Sequence, residues 1–288
     1  MAVPGASVSS GVSPDERAEI VRAARDLAFD DYLAALRAPA GAREDLLTLA
    51  AYAGEISRIP LQVSEAALGE IRLQWWRDAL KSEVRSGHPV ADALNSLKVR
   101  AGLPLDILLV PLEARAAELY PEPFPDDAAF RGYLEAVEMA HLKLRAHVLG
   151  RLADPALEEL RPEAARVLGI IRYAVRLPYL LAKGRTPIDV ARLGASHAEA
   201  TDVVMDESVL RRSVTLLIGE AAEGLSAIRP KIRHAGRAAR QAMLPLALAG
   251  PYLRVLQGTG HDVLRDVAEP TPLVLSVRLW RAARLGWF

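Results

Sequence analysis

From Ser13 onward, apolar residues recur every three to four positions in segments of about 12 to 30 residues rich in Ala, Leu, Arg and Glu. That is the period and composition of α-helices. Ser13, Pro14, Asp15 and Glu16 form a helix start: a capping hydroxyl, a proline in the first turn, and acids at the positive end of the helix dipole. The pattern predicts one helix from there to Leu36. Turns are expected where Gly and Pro cluster, at 38–42, 86–89, 101–104, 120–127, 152–155, 183–187 and 257–260. No run alternates Val, Ile, Thr and aromatic residues between hairpin turn signals, so the chain reads as all-α. Within 43–80, predicted as the second helix, Leu68, Ile71, Trp75 and Ala79 share one face and are expected to be buried. Arg72 and Asp78, with Glu83 beyond, fall off that stripe.

Composition narrows the picture without changing it. The 288 residues are 51% hydrophobic and 25% charged, with 36 basic and 36 acidic side chains, as in an ordinary globular protein. Zero net charge gives no general attraction to nucleic acid, and no nucleic-acid partner is expected. The absence of cysteine removes disulfides, thiolate metal sites and Cys nucleophiles together, and fits a reducing cytoplasm. Only five basic residues are lysine, so guanidinium groups, which match carboxylates and phosphates, dominate. Residues 1–13 are read as a disordered lead-in and 14–288 as one helical domain. No stretch has the roughly 20 apolar residues of a membrane span.

Several constellations carry candidate chemistry. Asp26/Asp30, Asp202/Asp206 and Asp262/Asp266 each place two carboxylates one helical turn apart, and they are read as solvated faces or helix-end charges. Glu138 and His141 form a Glu-x-x-His step without a second copy, so His141 is read as a satisfied helix residue. Hydrolase elbows and nucleotide loops are missing. Arg229, Arg233 and Arg237 fall at four-residue steps with Arg240 close by, a ridge suited to phosphate, anionic lipid or an acidic partner if it is not simply solvated. The final segment mixes Leu, Val and Trp with Arg278, Arg281 and Arg284. That pattern suits packing on the bundle, with membrane-surface contact as the alternative. Trp75 and Trp76 point about 100° apart on a helix, so one is expected to pack in the core while its neighbour meets another helix or the cavity.

Three stretches together, "AFDDYLAALRAP" followed by "REDLLTLAAYAGEISRIPLQVSEAALGEIRLQWWRDAL", "LGIIRYAVRLPYLLAKGRTPIDVARL" and "ARQAMLPLALAGPYLRVLQGTGHDVLRD", resemble the squalene/phytoene synthase family. The likeness runs from about residue 22 to the end and is most specific in "IRLQWWRDAL". It implies a single large helical bundle with a central cavity, of isoprenoid-synthase type. Members that are enzymes condense two prenyl diphosphates, using magnesium held by two facing aspartate-rich motifs. Laid on the first motif, the aspartate positions here are Ser57, Arg58 and Leu61, and Glu55 is the only acid between residues 46 and 64. From Ala164 to Ile188, where the second motif falls, there is no acid, and Arg166, Arg172, Arg176, Lys183 and Arg185 are basic. Magnesium requires oxygen ligands that these positions do not supply.

This degenerate pattern is most similar to the branch of the family that includes the mitochondrial complex I assembly factor. The resemblance therefore implies a non-catalytic protein without metal or cofactor, a scaffold in respiratory-complex assembly or a lipid-binding protein. Respiratory complex subunits or a prenyl or phospholipid ligand would be its partners. Arg172, Arg176, Lys183 and Arg185 are the candidate phosphate- or lipid-binding groups, and peripheral contact with an inner membrane fits the same picture. The alternative is an active prenyl diphosphate transferase with rearranged acids, using magnesium through Glu55, Glu138, Asp202 or Asp206.

Overall fold

The computed structural model describes residues 13–185, 188–189, 192 and 206–286. Among them are twelve α-helices and no strand: α1 Pro14–Leu27, α2 Phe29–Leu36, α3 Ala40–Gln62, α4 Ala66–Lys81, α5 Pro89–Ala101, α6 Leu105–Ala116, α7 Asp127–Val148, α8 Pro155–Leu181, α9 Glu207–His234, α10 Arg237–Ala242, α11 Ala249–Leu256 and α12 Pro272–Leu285. Short 3₁₀ turns, Ala117–Leu119 and Leu244–Leu248, continue α6 and precede α11. The all-α reading holds. Twelve of the first thirteen residues, and Asp202, lie outside the described residues.

Local chemistry sets several helix starts. Ser13 and Glu16 form a reciprocal capping box, Ser13 N–H to Glu16 Oε2 at 2.7 Å and Glu16 N–H to Ser13 Oγ at 3.2 Å. Asp126, Asp154 and Asp206 accept from the first free N–H groups of α7, α8 and α9. Gly102, at φ 65°, ends α5 in the left-handed conformation that a side chain disfavours.

The apolar core falls into two clusters. One is drawn mainly from α1 to α6, around Tyr52, Ile56, Leu73, Leu80 and Leu94. The other is drawn mainly from α7 to α12, around Phe130, Leu168, Tyr173, Leu217 and Leu246. Long helices α3, α7 and α8 run along the seam between them, and contacts of α7 with α8 and of α8 with α9 are the most extensive. The α7–α8 contact is backbone to backbone: a Cβ placed on Gly169 would lie 2.0 Å from the Leu134 carbonyl oxygen.

Three expectations fail here. The first predicted helix breaks at Ala28, whose φ of −144° and ψ of 57° are not helical. No Gly or Pro marks the break. It coincides with a crossing on α3, where a Cβ on Gly54 would lie 2.6 Å from Leu27 Cβ. The second predicted helix, 43–80, is two: α3 ends at Gln62, with Pro60 in its last turn and Val63 extended at φ −93° and ψ 141°, and α4 begins at Ala66. The buried face of α4 is also not the predicted one. Leu73, Trp76, Ala79 and Leu80 are buried, whereas Leu68, Ile71 and Trp75 are exposed. Apolar residues occupy two faces of this helix, and the core takes the face carrying Gly69, whose missing side chain admits Leu119. Trp76 meets Tyr52 edge to face at 5.6 Å, and the Tyr52 hydroxyl donates to the Leu108 carbonyl at 2.5 Å.

Gly169→Ala should destabilise the protein by about 2–3 kcal/mol, because the carbonyl it strikes cannot move without displacing α7. Gly219→Ala, at a helix position with open space around it, should be neutral or stabilising by up to about 1 kcal/mol. Thermal melts of the two variants check both outcomes.

Candidate functional site

A cavity of about 250 Å³ opens at the seam between the two core clusters. Its walls come from the α1–α2 junction (Leu27 to Asp31), α3 (Ala53, Gly54, Ser57), α6 (Arg115), α7 (His141), α8 (Leu168 to Arg176), the Leu244–Leu248 turn and α11 (Tyr252). A smaller, mostly apolar recess of about 40 Å³ adjoins it and shares Asp31, His141 and Arg172.

Charged side chains organise the floor into two networks. In the first, Glu118 is wholly buried and is gripped by Arg115 and Arg176, while the Tyr133 hydroxyl donates to it at 2.7 Å. Arg176 also donates through Nη1 to the carbonyl and hydroxyl oxygens of Ser57 at 2.9 and 2.8 Å, tying α8 to α3. Burial alone would raise the Glu118 carboxyl, but the two guanidinium groups outweigh it and hold the group below its ordinary range. In the second network, Arg172 donates through Nη2 to both Asp31 oxygens, at 3.2 and 3.0 Å, and its Nε lies 3.3 Å from Glu138. Arg145 donates to the carbonyls of Ala34 and Gln241, fastening α7 to α2 and to the end of α10.

Asp30 and His141 are left over. Burial pushes the Asp30 carboxyl up to about 6 against the pull of Arg172, and its Oδ1 has no hydrogen-bond partner. Neither ring nitrogen of His141 has a hydrogen-bond partner, Glu138 being 3.9 Å away, and burial lowers the affinity of the ring for a proton. Asp30 is therefore not a solvated helix charge, and His141 is not a satisfied helix residue. Asp206 does act as a helix-end charge, capping α9, whereas Asp262 and Asp266 lie in a turn outside any helix, where Asp262 takes Arg211 at 2.5 Å.

The residues singled out in the sequence are distributed unevenly around this site. Ser57, Arg172 and Arg176 meet in the cavity. Glu55 and Arg58 face the other side of α3, where they pair at 2.8 Å and line a separate cleft with Glu19, Arg22, Asp26 and His88. Leu61 is half-buried near the end of α3, outside the cavity lining. Arg185 is buried against the carbonyls of Pro60 and Val63, where it secures the end of α3, and Lys183 is exposed on the turn after α8. Sequence reasoning missed Glu118, Arg115 and Asp31. Glu118 lies 58 positions from Arg176 and Asp31 lies 141 from Arg172, separations that no local spacing signals; only Arg115 and Glu118, three residues apart, form a helical i,i+3 pair.

The donor set does not fit a magnesium cluster. Asp31 and Glu138 are already engaged by Arg172, Glu118 is enclosed by two arginines, and the Ser57 oxygens accept from Arg176. A divalent cation would meet the guanidinium charges of Arg115, Arg172 and Arg176 on the same walls. Among the described residues, no three His, Asp or Glu side chains are grouped to hold a metal. Of the described members of the rearranged set, Glu55 and Asp206 both lie outside the cavity lining.

The helical bundle, the cavity at its seam and the sequence agree on a class: the chain belongs to the squalene/phytoene synthase family, whose profile matches residues 25–280. Two solved structures share the fold. Squalene synthase HpnC from Alicyclobacillus acidocaldarius superposes with a TM-score of 0.62 at 19% identity, over 88% of this chain and 98% of that one. A dehydrosqualene synthase in complex with ligand gives 0.68 at 14% identity, over 94% and 96%. Particular relatives by sequence are proteins named NADH dehydrogenase (ubiquinone) complex I, assembly factor 6. The Bos taurus protein is 25% identical over 263 residues, covering 88% of this chain and 78% of its own length. The Rattus norvegicus protein is 25% identical over 292 residues, covering 96% and 85%.

The networks generate two predictions. Glu118→Gln leaves Arg115 and Arg176 without their buried anion and should cost about 3–5 kcal/mol, measured by chemical denaturation. Asp30 has the opposite sign. Its folded-state pKa lies above the unfolded value, so its contribution is fully present below about pH 4 and is lost as the pH rises through about 6. Asp30→Asn should therefore stabilise the protein by roughly 2–3 kcal/mol at pH 7.5 and by about half as much at pH 5, which melts at the two pH values will read.

Proposed function

We propose that this chain is a non-catalytic member of its family that acts as an assembly factor for a respiratory complex of the NADH dehydrogenase type, with subunits of that complex as its partners. One observation carries the non-catalytic part: Asp31, Glu118 and Glu138 are neutralised in place by Arg115, Arg172 and Arg176, which leaves Asp30 alone among the acids around the cavity, too few for a divalent ion. The assembly role is supported by the relatives named as complex I assembly factors, which align with most of this chain. A bundle that keeps the fold while replacing metal ligands with internal ion pairs retains a rigid shape to present to other proteins. Fold alone does not dictate activity, and here the site argues against the chemistry of the enzymes that share it.

A second reading, lipid binding, has its own support. The cavity combines an apolar lining from Leu27, Leu168, Ile171 and Leu248 with unpartnered polar atoms on Asp30 and His141. Its charges are internally balanced, so an uncharged polar head suits it better than a diphosphate.

Purified protein incubated with farnesyl or geranylgeranyl diphosphate and Mg²⁺ should release no diphosphate above the protein-free rate. Metal-dependent turnover, removed by chelation and restored by added metal, would overturn the non-catalytic reading.

A further inference from the structure

Most clustered arginines of the chain are ion-paired, but four that gather on α9, α11 and α12 have no carboxylate partner among the described residues. Arg229 and Arg233, one turn apart near the end of α9, converge with Arg254 on α11 and Arg278 on α12. Arg278 donates from Nε to the Ala247 carbonyl at 3.2 Å, which fixes its guanidinium beside the others. Burial lowers its proton affinity, and four further cations, Arg229, Arg281, Arg254 and Arg233, act in the same direction. Arg229 is half-buried against Gly250, and its Nε is a buried donor with no acceptor. In a protein with no net charge, this is a local concentration of positive charge with unmet hydrogen bonds.

The same face carries apolar side chains where a solvated helix would carry polar ones. Helix α12 buries Leu275, Leu279 and Ala282 against the bundle. Its opposite side exposes Leu273, Val277 and Trp280, spaced four and three residues apart, at 72%, 47% and 47%. Val274 lies between that row and the arginines and is also exposed. Apolar residues and a tryptophan flanked by guanidinium groups match the headgroup boundary of a bilayer, where indole rings settle and arginines reach lipid phosphates. An acidic protein surface would satisfy the arginines but would leave the outward apolar row unexplained. No helix among the described residues is long and apolar enough to cross a membrane, so contact from the surface is the mode this face allows.

We propose that the face built from the end of α9, α11 and α12 docks on an anionic phospholipid bilayer, with Leu273, Val277 and Trp280 entering the headgroup layer and Arg229, Arg233, Arg254 and Arg278 engaging lipid phosphates. This goes beyond the assembly reading and does not depend on it, since it concerns a surface away from the cavity lining.

The full chain is mixed with phosphatidylcholine vesicles, with or without about a third phosphatidylglycerol, and sedimented. Binding is expected to the anionic vesicles alone and to weaken as salt is raised. Arg233→Glu with Arg254→Glu, both at exposed positions, should lower partitioning roughly 100-fold while leaving the thermal melt unchanged. Trp280→Ser should weaken binding without removing its salt dependence. Arg72→Glu, on the exposed side of α4, should bind as the parent does. A parent chain that stays in the supernatant with anionic vesicles, or a double reversal that binds like the parent, would overturn the proposal. The first of these results would leave the face to a protein partner.

Discussion

One buried carboxylate holds the two halves of the core together. Glu118 has no contact with water, and it sits there charged because guanidinium groups from α6 and α8 and a phenol from α7 converge on it. An isolated carboxylate in such a place would carry a large desolvation penalty, and each of its partners would be equally costly alone. Each therefore fixes the others, and through Arg176 the arrangement reaches Ser57 and positions α3. The seam between the core clusters is thus joined by electrostatics, with apolar packing on both sides of it. Polar groups satisfied in this way specify one arrangement of helices more sharply than oil-like contact does.

The same arrangement decides what the cavity can do. Its carboxylates and guanidiniums lie within a few ångströms of each other, and most of them are spent on one another. A metal enzyme needs carboxylates whose charge is held in reserve for a cation. Here that reserve is taken up internally, and the lining atoms left without a hydrogen-bond partner are Asp30 Oδ1, on a carboxyl that burial raises, the two ring nitrogens of His141, whose proton affinity burial lowers, and Arg176 Nε. The residual polarity of the chamber is therefore a few unmet hydrogen-bonding atoms on an apolar wall.

The fold class was legible in the chain because helical period, capping residues and Gly–Pro turns all act over a few residues. Ser13 with Glu16, and Asp154 with Pro155, announce their helices. The break at Ala28 was not legible, because it follows from a helix crossing at Gly54, a residue 26 positions further on. The orientation of α4 was misread for a related reason: two of its faces are apolar, and the choice between them lies with Gly69 and Leu119. Of the site, Ser57, Arg172 and Arg176 could be picked out through resemblance to a family pattern. Their carboxylate partners could not, since long-range pairing leaves no trace in local spacing. Asp30 and Glu138 were visible as members of helical pairs, but whether a helix face looks into water or into a chamber is settled by tertiary packing.

The close passage of Gly169 under Leu134 has a mechanical consequence. At this crossing no side chain lies between the two backbones to compress or reshuffle, and the Phe130–Tyr173, Glu135–Arg166 and Glu138–Arg172 contacts flank it, so α7 and α8 move as one plank. That plank forms one side of the chamber and carries Glu138, His141, Arg172 and Arg176. Swelling to admit a guest on the side of the eight-residue helix α2 would have to break the hold of Arg172 on Asp31 and of Arg145 on the Ala34 carbonyl.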